Sequence, residues 1–330
     1  MDTVKLLEII RITFPVFALL GLGNILSRTG KMTDAHQSFL NWFVYFISLP
    51  ALIFVGMATQ PFSSLLNTDF IFATLLSMLA IFLIYILISV ILRLDKKIAV
   101  VMIFCTYWSN VAYMGFPLAE SAYGEHGFLL AAVVNAVSMP IFVIVSFVMI
   151  GLCADDKKGS GIVNSIRAAL VNPILLASFA GIAYAWVADA LGFGAGGGAS
   201  LPIAFEEAFW ICEIILKNVG TMGLSLALIA VGGKLRFRSF GKNVLPMLLS
   251  VVGKLLILPL ITLVIMKTLF PSSPKDVVGV AVLLMTLPTA VTVAVIAAQF
   301  KLDEEFTSSI LAVSLLGGVV MIPFWLYIVL

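Results

Sequence analysis

Apolar runs of about twenty residues follow one another from Ile12 to Val329, separated by short breaks that carry nearly all of the charge. A run of that length lets an α-helix cross a hydrocarbon layer about 30 Å thick. In lipid a helix also satisfies its own backbone, which open strands and loops cannot do. Ten candidate spans result: Ile12–Leu26, Leu40–Met57, Phe70–Leu92, Ile98–Leu118, Phe128–Leu152, Asn172–Leu191, Cys212–Gly232, Val244–Met266, Val277–Phe300 and Ser309–Val329. Hydrophobic residues make up 62% of the chain and charged residues 11%. Soluble domains carry roughly 45–50% and about 25%, so this chain cannot clothe itself in a water-compatible surface, and a soluble enzyme is excluded. The net charge of +2 gives no footprint for nucleic acid. Cys105, Cys153 and Cys212 are scattered and His36 and His126 stand far apart, so neither a metal, a cofactor nor a disulfide framework is expected. The first span follows Lys5, Glu8 and Arg11 and lacks a small-residue cleavage site; it is expected to be retained.

Basic residues collect in short loops on the cytoplasmic side. Thirteen of the 19 Lys and Arg fall in the odd-numbered loops, from Arg28 and Lys31 through Lys157, Lys158 and Arg167 to Lys301. The even loops hold only Lys267 and Lys275. The expected orientation therefore has odd loops in the cytoplasm and both termini outside, in a cell membrane of the bacterial inner-membrane type.

The Asp155–Ser160 stretch reads as a cytoplasmic linker and divides the spans five and five. The expected organisation is a first repeat over residues 1–154, a linker over 155–171 and a second repeat over 172–330. Weak self-similarity supports this. Met139-Pro140 in the fifth span matches Ile322-Pro323 in the tenth, and the first and sixth spans open with Pro15 and Pro173. Trp108-Ser109-Asn110-Val111 in the fourth corresponds to Leu287-Pro288-Thr289-Ala290 in the ninth. An odd number of spans per repeat forces the copies into opposite orientations, the plan of many secondary transporters.

The fourth and ninth spans are interrupted. Ser109, Asn110, Gly115 and Pro117 break one; Thr286, Pro288, Thr289 and Thr292 break the other. Proline removes a backbone donor, Ser, Thr and Asn offer the backbone competing partners, and broken backbone at membrane depth is tolerated where it lines a cavity. If the breaks cross, two helix N-termini converge, each with about half a positive charge and free amides, an anion site. Ser109, Asn110, Tyr113, Pro288, Thr289 and Thr292 are the candidate substrate contacts; Gly115, Pro117 and Pro50 are candidate crossover residues. Neither break carries Asp or Glu nearby; Glu120 and Glu125 lie at the outer end of the fourth span. That favours an anionic organic substrate over a cation. Lys254, midway along the eighth span, reads two ways: a cation drawing a carboxylate by about 3 kcal/mol, or a structural cation balancing half-helix C-termini. Glu213 and Lys217, spaced i, i+4, are expected to pair.

At these residues the chain resembles the auxin efflux carrier family, specifically its short bacterial malate, malonate or auxin-carrier-like permeases. The resemblance runs through Leu49-Pro50-Ala51-Leu52-Ile53-Phe54, Ser109-Asn110 with Met114-Gly115-Phe116-Pro117-Leu118, Gly253-Lys254-Leu255 with Pro259, Leu287-Pro288-Thr289-Ala290, and Leu311-Ala312-Val313-Ser314-Leu315-Leu316-Gly317 to Pro323. It implies an all-α integral membrane fold of ten helices in a five-plus-five inverted repeat, with broken helices 4 and 9 crossing. It also implies a scaffold of helices 1, 2, 6 and 7 and a transport domain that moves like an elevator. By the same resemblance Asn110 contacts a substrate carboxylate and Pro288 is the second crossover proline. The chain departs from the plant carriers at Ser109, where they have proline, at Thr289, where they have a polar amide, and in lacking a long central loop.

The expected function is a secondary transporter or facilitator of small organic anions, such as dicarboxylates or auxin-like carboxylates. Proton or sodium coupling and a homodimer are the expected partners to test. The alternative is a sodium-coupled organic-anion symporter of the bile-acid type. An intramembrane enzyme would want paired midplane aspartates, a histidine cluster or an acidic motif facing a diphosphate, and the sequence offers none.

Overall fold

Three prolines shape the long helices in the same way. A proline cannot donate a backbone hydrogen bond, and its ring clashes with the carbonyl four residues back. At Pro50, Pro117 and Pro259 the chain responds by widening the preceding turn. The residue before each proline reaches back five positions instead of four: Leu49 N–H to Val44 O, Phe116 N–H to Val111 O and Leu258 N–H to Gly253 O. The resulting π turns span Val44–Ser48, Val111–Gly115 and Gly253–Ile257. The carbonyl that Pro259 displaces, Leu255 O, is recovered by Trp325 Nε1 at 2.9 Å.

The computed structural model describes residues 3–65, 67–153, 171, 173–193, 203–233, 243–300 and 302–330, which are helical throughout apart from turns and one isolated β-bridge. The main helices are α1 (Thr3–Arg28), α2 (Asp34–Ala58, including the first π turn), α3 (Thr68–Ile91), α4 (Lys96–Tyr107), α5 (Phe116–Cys153), α6 (Pro173–Leu191), α7 (Ile203–Gly233), α8 (Val244–Leu269, including the third π turn), α9 (Lys275–Thr286), α10 (Thr292–Gln299) and α11 (Glu304–Val329), with one short helical turn, Phe62–Leu65, between α2 and α3. Seven stretches, α1, α2, α3, α6, Phe209–Gly233 of α7, α8 and α11, are each long and apolar enough to cross a membrane. Polar caps start α2, α3, α4 and α11: Thr33 accepts from His36 N–H, Asn67 from Phe70 N–H, Asp95 from Lys97 N–H and Asp303 from Phe306 N–H.

Two expectations shift. Pro15 lies inside α1, where it was expected to open the span. The fourth span runs past Leu118 and ends at Gly124, whose φ of 64° and ψ of −157° separate two helices within α5. Only glycine takes that conformation cheaply. The 155–171 linker, apart from residue 171, lies outside the described residues, as do Lys234, Arg236, Arg238, Lys242 and Lys301.

Small residues bring one set of helices into backbone contact, the usual device where lipid removes the hydrophobic drive between helices. A Cβ on Gly23 of α1 would strike Ile229 O of α7, and one on Gly232 would strike Leu20 O. Gly220 sits on Leu52 of α2, where a Cβ would come within 2.6 Å of the Leu52 Cβ, and Gly223 faces the Ser48 hydroxyl. Ser48 donates to Val219 O, Gln37 Nε2 to Ala230 O at 2.9 Å, and Gly181 of α6 packs against Phe54 and Met57. These contacts tie α1, α2, α6 and α7 into one group. A second group packs α3 on α4 and α8, α8 on α9 and α11, and α9 on α5 and α11.

Candidate functional site: the crossover of two broken helices

The helix α4 stops at Tyr107 and the chain continues extended through Trp108 (φ −91°, ψ 106°) to Asn110. The helix α9 stops at Thr286, and Leu287 is extended (φ −58°, ψ 146°), as the residue before a proline must be to avoid its ring. The two extended segments cross antiparallel at Ser109 and Thr289. Asn110 N–H donates to Pro288 O at 3.0 Å, and Ala290 N–H donates to Trp108 O at 3.0 Å. In lipid an unmet amide is expensive, and each break satisfies the other.

This alters the expected chemistry. Two of the amides counted as free anion donors are consumed by the crossing, and the Thr289 N–H donates to Ser314 Oγ at 3.3 Å. Val111 N–H already donates to Ser109 O, Val293 N–H to Ala290 O and Ala294 N–H to Val291 O, so what remains for a ligand is the other first-turn amides leading into α5 and α10 and the Asn110 carboxamide. The Asn110 side chain makes no cap to the π turn that follows it.

Ser109, Asn110 and Thr289 are 5%, 4% and 2% exposed. Around them lies a cavity of about 60 Å³ lined by Asn110, Val231, Pro288, Thr289, Val291, Leu311 and Leu315. That volume holds a few water molecules. Its wall draws on both groups of helices, since Val231 belongs to α7 and Leu311 and Leu315 to α11.

The candidate residues divide accordingly. Asn110, Pro288 and Thr289 line the cavity; Ser109, Tyr113 and Thr292 do not. The Thr289 hydroxyl donates to Cys105 O at 2.7 Å, locking the second break onto the end of α4. Ser109 accepts from Lys254 Nζ. Tyr113 lies in the second π turn, half-buried and outside the cavity lining. Gly115 is needed for closeness: a Cβ there would lie 2.9 Å from Leu287 Cδ1 and 3.1 Å from Leu284 Cδ2. Pro50 and Pro117 act through their π turns. Lys254 is completely buried in the third π turn.

Sequence reasoning missed Ser314, the acceptor for Thr289, although a hydroxyl within the apolar run Leu311–Gly317 was a usable signal. It also missed Val231, Leu311 and Leu315, apolar residues in apolar spans that offer no contrast. The expected Glu213–Lys217 pair is not closed; among the described residues the ion pair is His126 Nδ1 to Asp276 Oδ2 at 2.9 Å. It joins the start of the second helix within α5 to the first turn of α9.

The pattern of the membrane transport protein family matches residues 9–326. A Rhizobium meliloti (strain 1021) protein whose name proposes malonate transport is 25% identical over 325 residues, covering 98% of this chain and 96% of that one. The uncharacterized transporter YfdV of Escherichia coli (strain K12) is 24% identical over 329 residues, covering 95% of each. The lysosomal cholesterol signaling protein of Mus musculus is 25% identical over 318 residues, 90% of this chain and 35% of that protein. Matched from Ile9 to Leu326, with several helices long and apolar enough to cross a membrane, the chain belongs to the membrane transport protein family, that is, to the auxin efflux carrier family.

Proposed function

We propose that the protein is a secondary transporter or facilitator of small organic anions, dicarboxylates first among them, and that Asn110 is its central substrate contact. The observation that carries this reading is the cavity at the crossover, where an uncapped carboxamide and the positive ends of two half-helices meet without a facing carboxylate among its lining residues. A carboxylate placed there gains N–H donors and a favourable dipole. The relative named for malonate makes malonate the first probe.

The wider reading has ten spans in two inverted repeats, residues 1–154 and 172–330, with α4 and α9 as the first halves of the fourth and ninth. Odd loops face the cytoplasm and both termini face outside a bacterial inner membrane. The glycine-packed α1, α2, α6 and α7 form a scaffold against which the remaining helices slide, carrying the crossover from one side to the other. A second copy of the chain would seat on the scaffold along α2, whose Phe39, Trp42 and Phe46 stack as an outward ladder.

The test is flux of malonate, malate and indole-acetate into proteoliposomes with imposed Na⁺ and H⁺ gradients. The expected result is saturable dicarboxylate uptake that Asn110→Ala weakens by about tenfold or more, or abolishes, while expression and monodispersity persist. No flux of any of the three, or unchanged flux in Asn110→Ala, would overturn the reading. Uptake that depends on sodium would favour the bile-acid-type symporter.

A further inference from the structure

Lys254 stands where a charge is hardest to keep. It lies midway along α8, is fully buried, and donates from Nζ to the Ser109 hydroxyl. An ammonium has three N–H donors and needs compensation for its charge. Among the described residues no carboxylate lies within ion-pair distance of it. The titratable groups facing it are the Cys105 thiol from α4 and the Tyr85 phenol from α3, which packs on Gly253 and donates to Leu249 O. The carboxylates of the other helices packed on this turn, Asp276 of α9 and Glu304 and Glu305 of α11, sit in first turns at helix ends.

A hydroxyl is a partner for either form of a lysine. It accepts from an ammonium and donates to the lone pair of a neutral amine. The Lys254–Ser109 contact therefore survives gain and loss of a proton, as a carboxylate salt bridge would not. The adjoining residue, Asn110, lines the cavity in which an anion is to sit. An anion there is the counter-charge that the buried site otherwise lacks.

We propose that Lys254 is the proton-coupling site: neutral when the cavity is empty, protonated when an organic anion fills it, so that one proton travels with each anion. This rests on reading the crossover as the anion site. The proton comes from water on the loading side and forms an N–H bond with the Nζ lone pair. Ser109 keeps its own proton and reverses the sense of its hydrogen bond. On the releasing side the anion departs and the N–H proton returns to water. Because the two bindings favour each other, the coupling is reciprocal.

The experiment is malonate binding to the purified full-length wild-type protein in weakly buffered detergent solution with a pH indicator. The expected result is uptake of about one proton per malonate bound. Affinity should weaken by up to tenfold per unit between about pH 7 and 9, where both malonate carboxyls are already ionised. In Lys254→Gln the proton uptake disappears and affinity becomes weak and independent of pH. Wild-type binding without proton uptake overturns this proposal and leaves the transporter reading standing; absence of malonate binding overturns both. Should Lys254→Gln fail to fold, the wild-type proton count decides alone.

Discussion

A carboxamide offers two N–H donors and a carbonyl without carrying charge, so Asn110 can hold a carboxylate and let it go. A hydrogen bond to a charged group contributes about 1.5–3 kcal/mol, which is about a tenfold to hundredfold change in affinity. Asn110→Ala should therefore raise the half-saturating malonate concentration by that factor or stop flux. Asn110→Asp, which puts a like charge beside the substrate, should stop it outright; uptake assays on both variants check this. Trp325 makes a different prediction. Its indole closes the carbonyl that Pro259 leaves open, and interhelical bonds of this kind in membranes contribute about 0.6 to 1.7 kcal/mol. Trp325→Phe should lower thermal stability in detergent by that modest amount and leave transport intact. Asn110 was readable from the sequence as a polar residue interrupting an apolar span. Trp325 was not, because its role exists only once Pro259 has displaced Leu255 O.

Between helices, glycine placement decides what can pack. Gly21 and Gly23 lie two residues apart on α1, yet a Cβ on Gly21 meets nothing within 4 Å while one on Gly23 strikes Ile229 O. Gly21→Ala should be neutral or slightly stabilising, through helix propensity. Gly23→Ala and Gly232→Ala should force α1 from α7 and give aggregated protein by size-exclusion chromatography. Equal behaviour of Gly21→Ala and Gly23→Ala would contradict the packing. Seven helices of membrane-crossing length and both breaks were legible because hydropathy and proline mark them directly. The π turns were written in the same prolines but needed the displaced carbonyl to be followed. The crossing itself removed amides that sequence reasoning had left free, since only the fold shows that Asn110 N–H and Pro288 O meet. Gly124 escaped notice as the end of the fourth span because the flanking Glu120, Glu125 and His126 spread the polar signal over several residues.

Across the molecule, the crossover cavity is walled from both groups of helices, Val231 on one side and Leu311 and Leu315 on the other. If the groups slide past each other during transport, joining the two walls stops the cycle. Val231→Cys with Leu315→Cys, in a chain whose native cysteines are replaced, should lose flux on treatment with a short thiol-reactive crosslinker; either single cysteine should not. Full flux in the crosslinked protein would rule out sliding at this boundary. The central claim is that an organic anion sits at the crossover, and a structure of the protein with malonate bound tests it most directly. The account predicts malonate density against the Asn110 carboxamide, between Pro288 and Thr289, in a cavity grown beyond its present volume of about 60 Å³. Malonate held elsewhere, with the crossover closed and Asn110 untouched, would contradict it.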